Sequence, residues 1–250
     1  MEREEIIKNE EINRLNDSYR NNFLIGFIGT NRTGKSSLAK KVAEMWRLKY
    51  PSQTVMSFDP QDNFGEITDI FIDIEDSEWP YKALKLRDAL LILDDYKLIN
   101  DIDRPIKGLS KLMAYRAKYN IDIIYVCHNP ALVLNLLTYY TTHYYIFLTQ
   151  AQEDGFKKKI PNYTLCNNAS RMVNEWVSKF GRGEYPVFPY AIIDTERQVI
   201  IPQNIDKRWV NIYLQSMDLE DKSDLDFYEK KLKNEIEFQN SINKKKGLLK

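Results

Sequence analysis

The eight residues from Gly29 to Ser36 constrain this chain more than any other stretch of its sequence. Their order, Gly-Thr-Asn-Arg-Thr-Gly-Lys-Ser, matches the pattern G-x-x-x-x-G-K-[ST] of a phosphate-binding loop. An apolar run at 23–28 precedes the loop, and apolar residues recur at helical spacing from Leu38 to Trp46 after it. A strand, a glycine-bounded loop and a helix N-terminus together form a cradle of backbone N–H groups for a polyphosphate.

We expect this loop to bind a nucleotide, with ATP and Mg²⁺ as the cofactors. Lys35 is the predicted catalytic cation at the β/γ-phosphates, and the hydroxyl of Ser36 is a predicted ligand of Mg²⁺. The alternative is a glycine-bearing turn with a solvated lysine. The residues predicted to contact the nucleotide are Gly29, Thr30, Asn31, Arg32, Thr33, Gly34, Lys35, Ser36 and Ser37.

Strand and helix patterns alternate along the chain after this loop. Residues 89–93 are apolar throughout, as in a central parallel strand, and 121–127 read as another strand. Such alternation implies right-handed crossovers and a mostly parallel sheet. The prediction is an α/β, three-layer P-loop NTPase fold with a mostly parallel central sheet. We place its boundaries at 21–205, between an N-terminal helical extension at 1–20 and a charged, partly helical tail at 206–250.

Composition narrows the classes of partner. Lys and Arg number 36 and so do Asp and Glu, so the chain has no net charge, and we expect any nucleic-acid contact to be local. No apolar run approaches the roughly 20 residues that cross a bilayer, which predicts no stable membrane insertion. The acidic N-terminus has no apolar leader core, so we expect a cytoplasmic protein. Two histidines are too few for a multi-histidine metal centre.

Acids at the end of a strand supply the second half of the predicted site. Asp94 and Asp95 follow the apolar run, so they belong at the carboxyl edge of the sheet, where open α/β sheets bind ligands. Asp94 is the expected carboxylate on the magnesium side, through a bound water. Asp95 is the expected catalytic residue that orients or deprotonates the attacking water. The alternative is a pair of aspartates that begins a turn.

Two further residues have predicted catalytic roles. His128 follows the predicted strand at 121–127, where a polar side chain can touch the γ-phosphate or its attacking water. Asn129 is the second choice for this role. The alternative is that the two residues are only a polar pair in a loop or at a helix cap. Arg116 precedes that strand on a predicted helix end, where it could insert into the nucleotide site of a neighbouring subunit as an arginine finger. The alternative for Arg116 is a solvated helix cation.

Four features together resemble the FtsK/HerA superfamily of P-loop motor ATPases, and in particular its viral genome-packaging branch. They are the phosphate loop, the strand at 55–62 that ends in Asp-Pro and polar residues, the doubled acid at 94–95, and the segment 116–130. That segment resembles an arginine-bearing helix end, a strand and a terminal polar sensor followed by proline. The family usually has glutamine at the sensor position, so His128 departs from it.

The resemblance implies a RecA/FtsK-like ATPase that assembles as a homo-oligomeric ring, with Arg116 as a finger acting in trans. It implies an ATP-driven motor that translocates DNA and packages a viral genome into a capsid, with capsid or portal-vertex proteins as further partners. The implied location is the host cytoplasm or the virion. The alternatives are a phage-assembly, extrusion or conjugative DNA-transfer ATPase and a small-molecule P-loop kinase. Candidate DNA contacts are Lys107, Lys111, the lysines at 157–159 and those at 244–246.

Overall fold

The computed structural model describes residues 22–73, 75–76, 78–95, 106–129, 135–149, 163–183 and 187–210. The chain divides into two compact units, 1–204 and 205–250. The helical extension predicted at 1–20 lies outside the described residues, as does the predicted tail beyond residue 210. In the second unit the Asp206 carboxylate accepts the N–H groups of Arg208 and Trp209, which caps the start of a helical turn.

Among the described residues of the first unit, eight strands form one sheet, in the order β3-β2-β4-β5-β1-β6-β7-β8. The strands from β1 to β6 pair in parallel, whereas β7 pairs antiparallel with both β6 and β8. This mostly parallel sheet confirms the predicted α/β class. The strands are β1 (Leu24–Ile28), β2 (Thr54–Phe58), β3 (Ile70–Phe71), β4 (Ala89–Leu93), β5 (Ile121–Cys127), β6 (His143–Ile146), β7 (Tyr190–Asp194) and β8 (Val199–Gln203).

Helices cover both faces of the sheet. On one face, α1 buries Val42 and Trp46 in a hydrophobic cluster with Phe27 and Ile124. The helices are α1 (Lys35–Lys49), α2 (Trp79–Leu86), α3 (Leu109–Tyr115), α4 (Asn135–Tyr140) and α5 (Tyr163–Phe180), with a 3₁₀ turn at Gly65–Ile67. Among the described residues, no helix is long and apolar enough to cross a membrane.

Tyrosines on the opposite face contact α4 and its end. The hydroxyl of Tyr125 lies 3.1 Å from that of Thr141, and the hydroxyl of Tyr144 donates to the Thr138 carbonyl at 3.0 Å. Both tyrosines are fully buried. Because burial disfavours the charged phenolate, it raises the pKa values of both side chains. The sheet therefore lies between two helical layers, as the sequence predicts.

Two elements are shorter than their sequence patterns predict. Residues 67–72 read as a strand, but only Ile70–Phe71 is one, because the Asp69 carboxylate accepts the Val55 N–H at 2.8 Å before the ladder begins. Residues 105–119 have the sequence pattern of a helix, but among the described residues the helix begins only at Leu109, after Gly108 with φ 85°. A left-handed residue at that position interrupts a right-handed helix.

The register of the parallel strands brings four loops to one edge of the sheet. Ile28 pairs with Cys127, Leu93 pairs with Tyr125, and Phe58 pairs with Leu93. Strands β1, β2, β4 and β5 therefore end side by side. The phosphate loop, the acids after β4, the histidine after β5 and the turn after β2 all open at this carboxyl edge, where ligands bind in such sheets.

Asp122 is a partly buried carboxylate that ties α1 to the start of β1. Its Oδ1 accepts the N–H of Phe23 at 2.8 Å, and its Oδ2 accepts the indole N–H of Trp46 at 2.7 Å. Burial raises the pKa of Asp122 from 3.8 to about 6 and outweighs these two bonds, which favour the charged form. The folded protein therefore keeps this proton to a higher pH than the unfolded chain does.

We expect Asp122 to make the protein less stable as pH rises from about 4 to about 6, because the folded state binds the extra proton in that window. The two pKa values differ by about 2 units, which corresponds to about 3 kcal/mol. Urea unfolding of the wild type and of Asp122→Asn across this window isolates the effect from other carboxylates. The stability of the wild type relative to the variant should fall as pH rises, and a constant difference would contradict the assignment.

Candidate nucleotide site

The phosphate loop is anchored at both of its neighbouring strands. The N–H of Gly29 donates to the Cys127 carbonyl at 3.2 Å, and the N–H of Thr30 donates to the Leu148 carbonyl at 2.7 Å. The loop ends at Gly34, whose φ of 87° turns the chain into α1. The loop therefore begins between the ends of β5 and β6 and delivers the helix N-terminus to the carboxyl edge.

Both glycines of the pattern are required by the geometry of the loop. A Cβ at Gly34 would lie 2.4 Å from the ring of Phe188, and the left-handed φ would add backbone strain. A Cβ at Gly29 would lie 2.7 Å from the Cβ of Phe147 and 2.9 Å from the Leu148 carbonyl oxygen. Any side chain at either position would displace the loop.

Lys35 lies inside the loop rather than in solvent. The residue is only 4% exposed, and its Nζ donates to the Thr30 carbonyl at 2.6 Å. Burial lowers the pKa of Lys35 to about 8, while the negative charges of Asp94 and Asp95 act in the opposite direction. The ammonium is thus charged at neutral pH and lies between the loop and the strand-end acids.

Asp94 meets the phosphate loop directly. Its carboxylate is buried, and its Oδ1 lies 3.4 Å from the Ser36 hydroxyl that donates to it. The same oxygen accepts the N–H of Asp95 at 3.0 Å. Burial raises the pKa of Asp94 above its usual range. The structure therefore brings together the loop serine and the strand acid, which the sequence places 58 residues apart.

These oxygens fit the requirements of magnesium bound to a nucleotide. Mg²⁺ prefers oxygen ligands and usually keeps several waters, so with phosphates present it needs only one or two protein groups. Ser36 and Asp94 offer a hydroxyl and a carboxylate at the required edge. Within the described ranges, no group of three or more His, Cys, Asp or Glu residues forms an all-protein metal site.

Asp95 and His128 lie side by side at the ends of adjacent strands. The Nε2 of His128 is 3.6 Å from the Oδ1 of Asp95, and both side chains are partly exposed. Asp95 has a φ of 45°, a conformation that Asp and Asn adopt more readily than most residues. The carbonyl of the second-choice residue, Asn129, accepts the Cys127 thiol at 2.9 Å. The structure thus places the two predicted catalytic residues within reach of each other.

Arg116 is buried within its own chain. The residue is 8% exposed and donates to the carbonyl of Asn22, which precedes β1. This position is at the amino edge of the parallel strands, opposite the phosphate loop. Burial lowers the pKa of Arg116, and the nearby Asp122 opposes that shift. An arginine finger must project from its subunit, so the observed conformation weighs against the trans role expected from sequence.

The remaining predicted contacts differ in exposure. Asn31, Arg32 and Ser37 are exposed, whereas Thr33 is buried and donates to the Thr30 carbonyl at 2.8 Å. Of the candidate DNA contacts, Lys107 is exposed and the Nζ of Lys111 lies 5.7 Å from the centre of the Tyr81 ring. The lysines at 157–159 and 244–246 lie outside the described residues.

Sequence reasoning missed two residues that touch the site. Asn63, in the turn after β2, donates from its Nδ2 to the Oδ2 of Asp94 at 2.7 Å. Phe188, just before β7, packs its ring against Gly34. The only sequence signal for Asn63 is its place among polar residues after a strand that ends at the carboxyl edge. Phe188 follows the α5 helix, 154 positions after the glycine, and carries no local signal.

No family model and no curated protein matches the sequence. Solved structures do match the fold. The genome packaging NTPase B204 from Sulfolobus turreted icosahedral virus 2, in complex with AMP, aligns with a TM-score of 0.54 at 13% identity. The alignment covers 73% of this chain and 96% of that protein. The complex of the same protein with AMPPCP gives a TM-score of 0.53 over similar lengths.

A secretion ATPase also matches the fold. ATPases 2 and 3 of EccC from Thermomonospora curvata, in complex with a signal sequence peptide, align with a TM-score of 0.51 at 12% identity. This alignment covers 72% of the present chain and 36% of the EccC chain. At identities this low, the structural similarity establishes the fold alone. The roles of individual residues rest on the geometry of the site. The chain thus has the α/β fold of the P-loop NTPases, which it shares with the genome packaging NTPase B204 and with ATPases 2 and 3 of EccC.

Proposed function

We propose that this protein is an ATP-hydrolysing motor that translocates DNA and packages a viral genome. The observation that carries the ATPase part is the convergence of Lys35, Ser36 and Asp94 at one sheet edge, with Ser36 Oγ and Asp94 Oδ1 3.4 Å apart. The similarity to B204 supports the packaging part, since that protein is a genome packaging NTPase.

Each residue of the site has a role in the proposed hydrolysis. The loop N–H groups and the Lys35 ammonium neutralise the polyphosphate, so Lys35 must exchange the Thr30 carbonyl for phosphate oxygens. Ser36 and Asp94 would hold Mg²⁺, which supplies charge neutralisation at the β/γ-phosphates when it is bound. Asp95 orients the attacking water and takes its proton, and His128, 3.6 Å away, reports the state of the γ-phosphate.

The proposal extends to partners and place. We propose a homo-oligomeric ring that grips DNA, docks on capsid or portal-vertex proteins, and acts in the host cytoplasm or on the virion. The neutral overall charge supports intermittent rather than static DNA contact. Arg116 is bonded within its own subunit, so an arginine that acts between subunits would be a different residue.

The similarity to EccC supports a second candidate, a motor that moves a polypeptide. EccC is a Type VII secretion ATPase, and the matching structure contains a signal sequence peptide. Such a motor would use the same nucleotide chemistry with another cargo.

We expect double-stranded DNA to stimulate ATP hydrolysis by the assembled protein several-fold, because a motor couples its turnover to cargo. The measurement is steady-state phosphate release with double-stranded DNA, single-stranded DNA or an unfolded polypeptide, each at low and moderate salt. Stimulation by double-stranded DNA that declines with salt supports packaging, since phosphate contacts weaken as salt rises. Stimulation by the polypeptide alone would favour the polypeptide motor. A hydrolysis rate that none of the three cargoes changes would contradict both candidate functions.

A further inference from the structure

Asn63 is the closest neighbour of Asp94 that sequence reasoning does not explain. Its Nδ2 donates to the Oδ2 of Asp94 at 2.7 Å, and the Oδ1 of Asp94 accepts Ser36 Oγ at 3.4 Å and the N–H of Asp95 at 3.0 Å. Both carboxylate oxygens thus have donors, and these come from different directions. One oxygen is directed to the phosphate loop, and the other is held on the side of β2.

The turn that carries Asn63 is stabilised by hydrogen bonds from its backbone to the side chain of Asp59. The carboxylate of Asp59 accepts the N–H of Asn63 at 3.0 Å and the N–H of Phe64 at 2.6 Å. Phe64 is fully buried in the core beneath α1. The next residues form the 3₁₀ turn, whose Glu66 pairs with Lys40 of α1 at 2.9 Å. The backbone of Asn63 is therefore held in place by its own N–H bond and by the packing of the residues that follow it.

An amide suits this position because it donates a hydrogen bond without changing the charge of the site. A carboxylate can rotate about its last bond, and a donor fixed to one oxygen determines where the other oxygen points. A lysine here would neutralise Asp94, and an aspartate would repel it. Groups that hydrogen-bond a metal-ligating carboxylate in this way orient the ligand, and their loss typically costs metal affinity.

We propose that Asn63 is a positioning residue that directs the Oδ1 of Asp94 toward the magnesium of the bound nucleotide. This inference rests on the proposed ATPase function. Asn63 acts through Asp94 and touches neither the phosphates nor the attacking water in the proposed arrangement. Asn63 connects the turn after β2 to Asp94, the proposed magnesium-side carboxylate. No residue of the phosphate-loop pattern takes part in this connection.

The test compares Asn63→Leu, which keeps the shape of the side chain but has no donor, with Asn63→Ala. Metal affinity is measured by electron paramagnetic resonance of Mn²⁺ with a non-hydrolysable ATP analogue, and analogue affinity is measured separately in EDTA. We expect both variants to bind Mn²⁺ about 10–100-fold more weakly, with the metal-free analogue affinity unchanged. Glu66→Gln is the control for a loosened turn, because it weakens the exposed pair with Lys40 but removes no donor to Asp94.

The outcomes separate this inference from the function on which it rests. If the wild type fails to bind the analogue, the proposed function fails. If the wild type binds both analogue and Mn²⁺ and the Asn63 variants match it, the positioning role is overturned while the ATPase proposal stands. Equal losses of metal-free analogue affinity and Mn²⁺ affinity would also overturn it, because that pattern indicates a general distortion of the loop.

Discussion

Replacing Lys35 with alanine is expected to lower kcat for ATP hydrolysis by about 10²–10³, the usual effect of removing one preorganised donor from a developing charge. The ammonium lies under the loop, 2.6 Å from the Thr30 carbonyl, and faces Asp94 and Asp95. Arg32 is the other cation of the loop, but it is exposed, whereas Lys35 is buried beneath the loop, so Arg32 is not positioned to compensate. Steady-state phosphate release at saturating Mg·ATP measures the effect.

The same variant should separate catalysis from folding. In the folded protein without nucleotide the Lys35 ammonium is charged at neutral pH despite its burial, because its pKa is about 8. Removing that buried charge should leave the unfolding temperature unchanged or higher, while ATP should no longer raise it. Lys40→Ala is the control, since Lys40 lies on the same helix but pairs with Glu66 at the surface. Normal turnover in Lys35→Ala would remove the basis for the proposed phosphate site.

The sequence predicted the parts of the fold that depend on local patterns. The loop pattern, the apolar run of β4 and the hydrophobic strand β5 each specify an element by themselves, and parallel pairing then fixes their common edge. That is why Ser36 and Asp94, far apart in sequence, could be expected together. The structure agrees with the placement, and the catalytic roles stay predictions for the experiments above.

Patterns failed where a contact from a distant segment decides the outcome. The sequence predicts that Arg116 projects from a helix end as an arginine finger, but its guanidinium donates to the carbonyl of Asn22, 94 positions earlier. Residues 67–72 alternate like a strand, but the side chain of Asp69 takes the N–H that a longer ladder would use. The contact between Asn63 and Asp94 could not be predicted from local pattern, because only the pairing of β2 with β4 brings the two residues together.

Asp95 is the residue on which the proposed hydrolysis depends most after the loop itself. It follows β4, lies 3.6 Å from His128, and has its backbone N–H bound to Asp94. Its carboxylate lies beside His128, whereas the Oδ1 of Asp94 accepts the Ser36 hydroxyl. Substitution at this position should therefore affect water activation more than nucleotide binding.

Asp95→Asn is expected to lower kcat by about 10²–10⁴, the range of a general-base contribution, while the affinity for ATP stays within a few-fold. Asparagine keeps the shape of the side chain and tolerates the φ of 45°, but it cannot accept the proton of the attacking water. Asp88→Asn is a close control, since Asp88 precedes the same strand, also has a φ of 45°, and lies at the opposite sheet edge, bonded to Asn120 at 2.8 Å. Single-turnover hydrolysis and equilibrium binding of a fluorescent ATP analogue measure the two quantities separately. Full turnover in Asp95→Asn would assign water activation to another residue, and a parallel loss of ATP affinity would place Asp95 on the nucleotide-binding side instead.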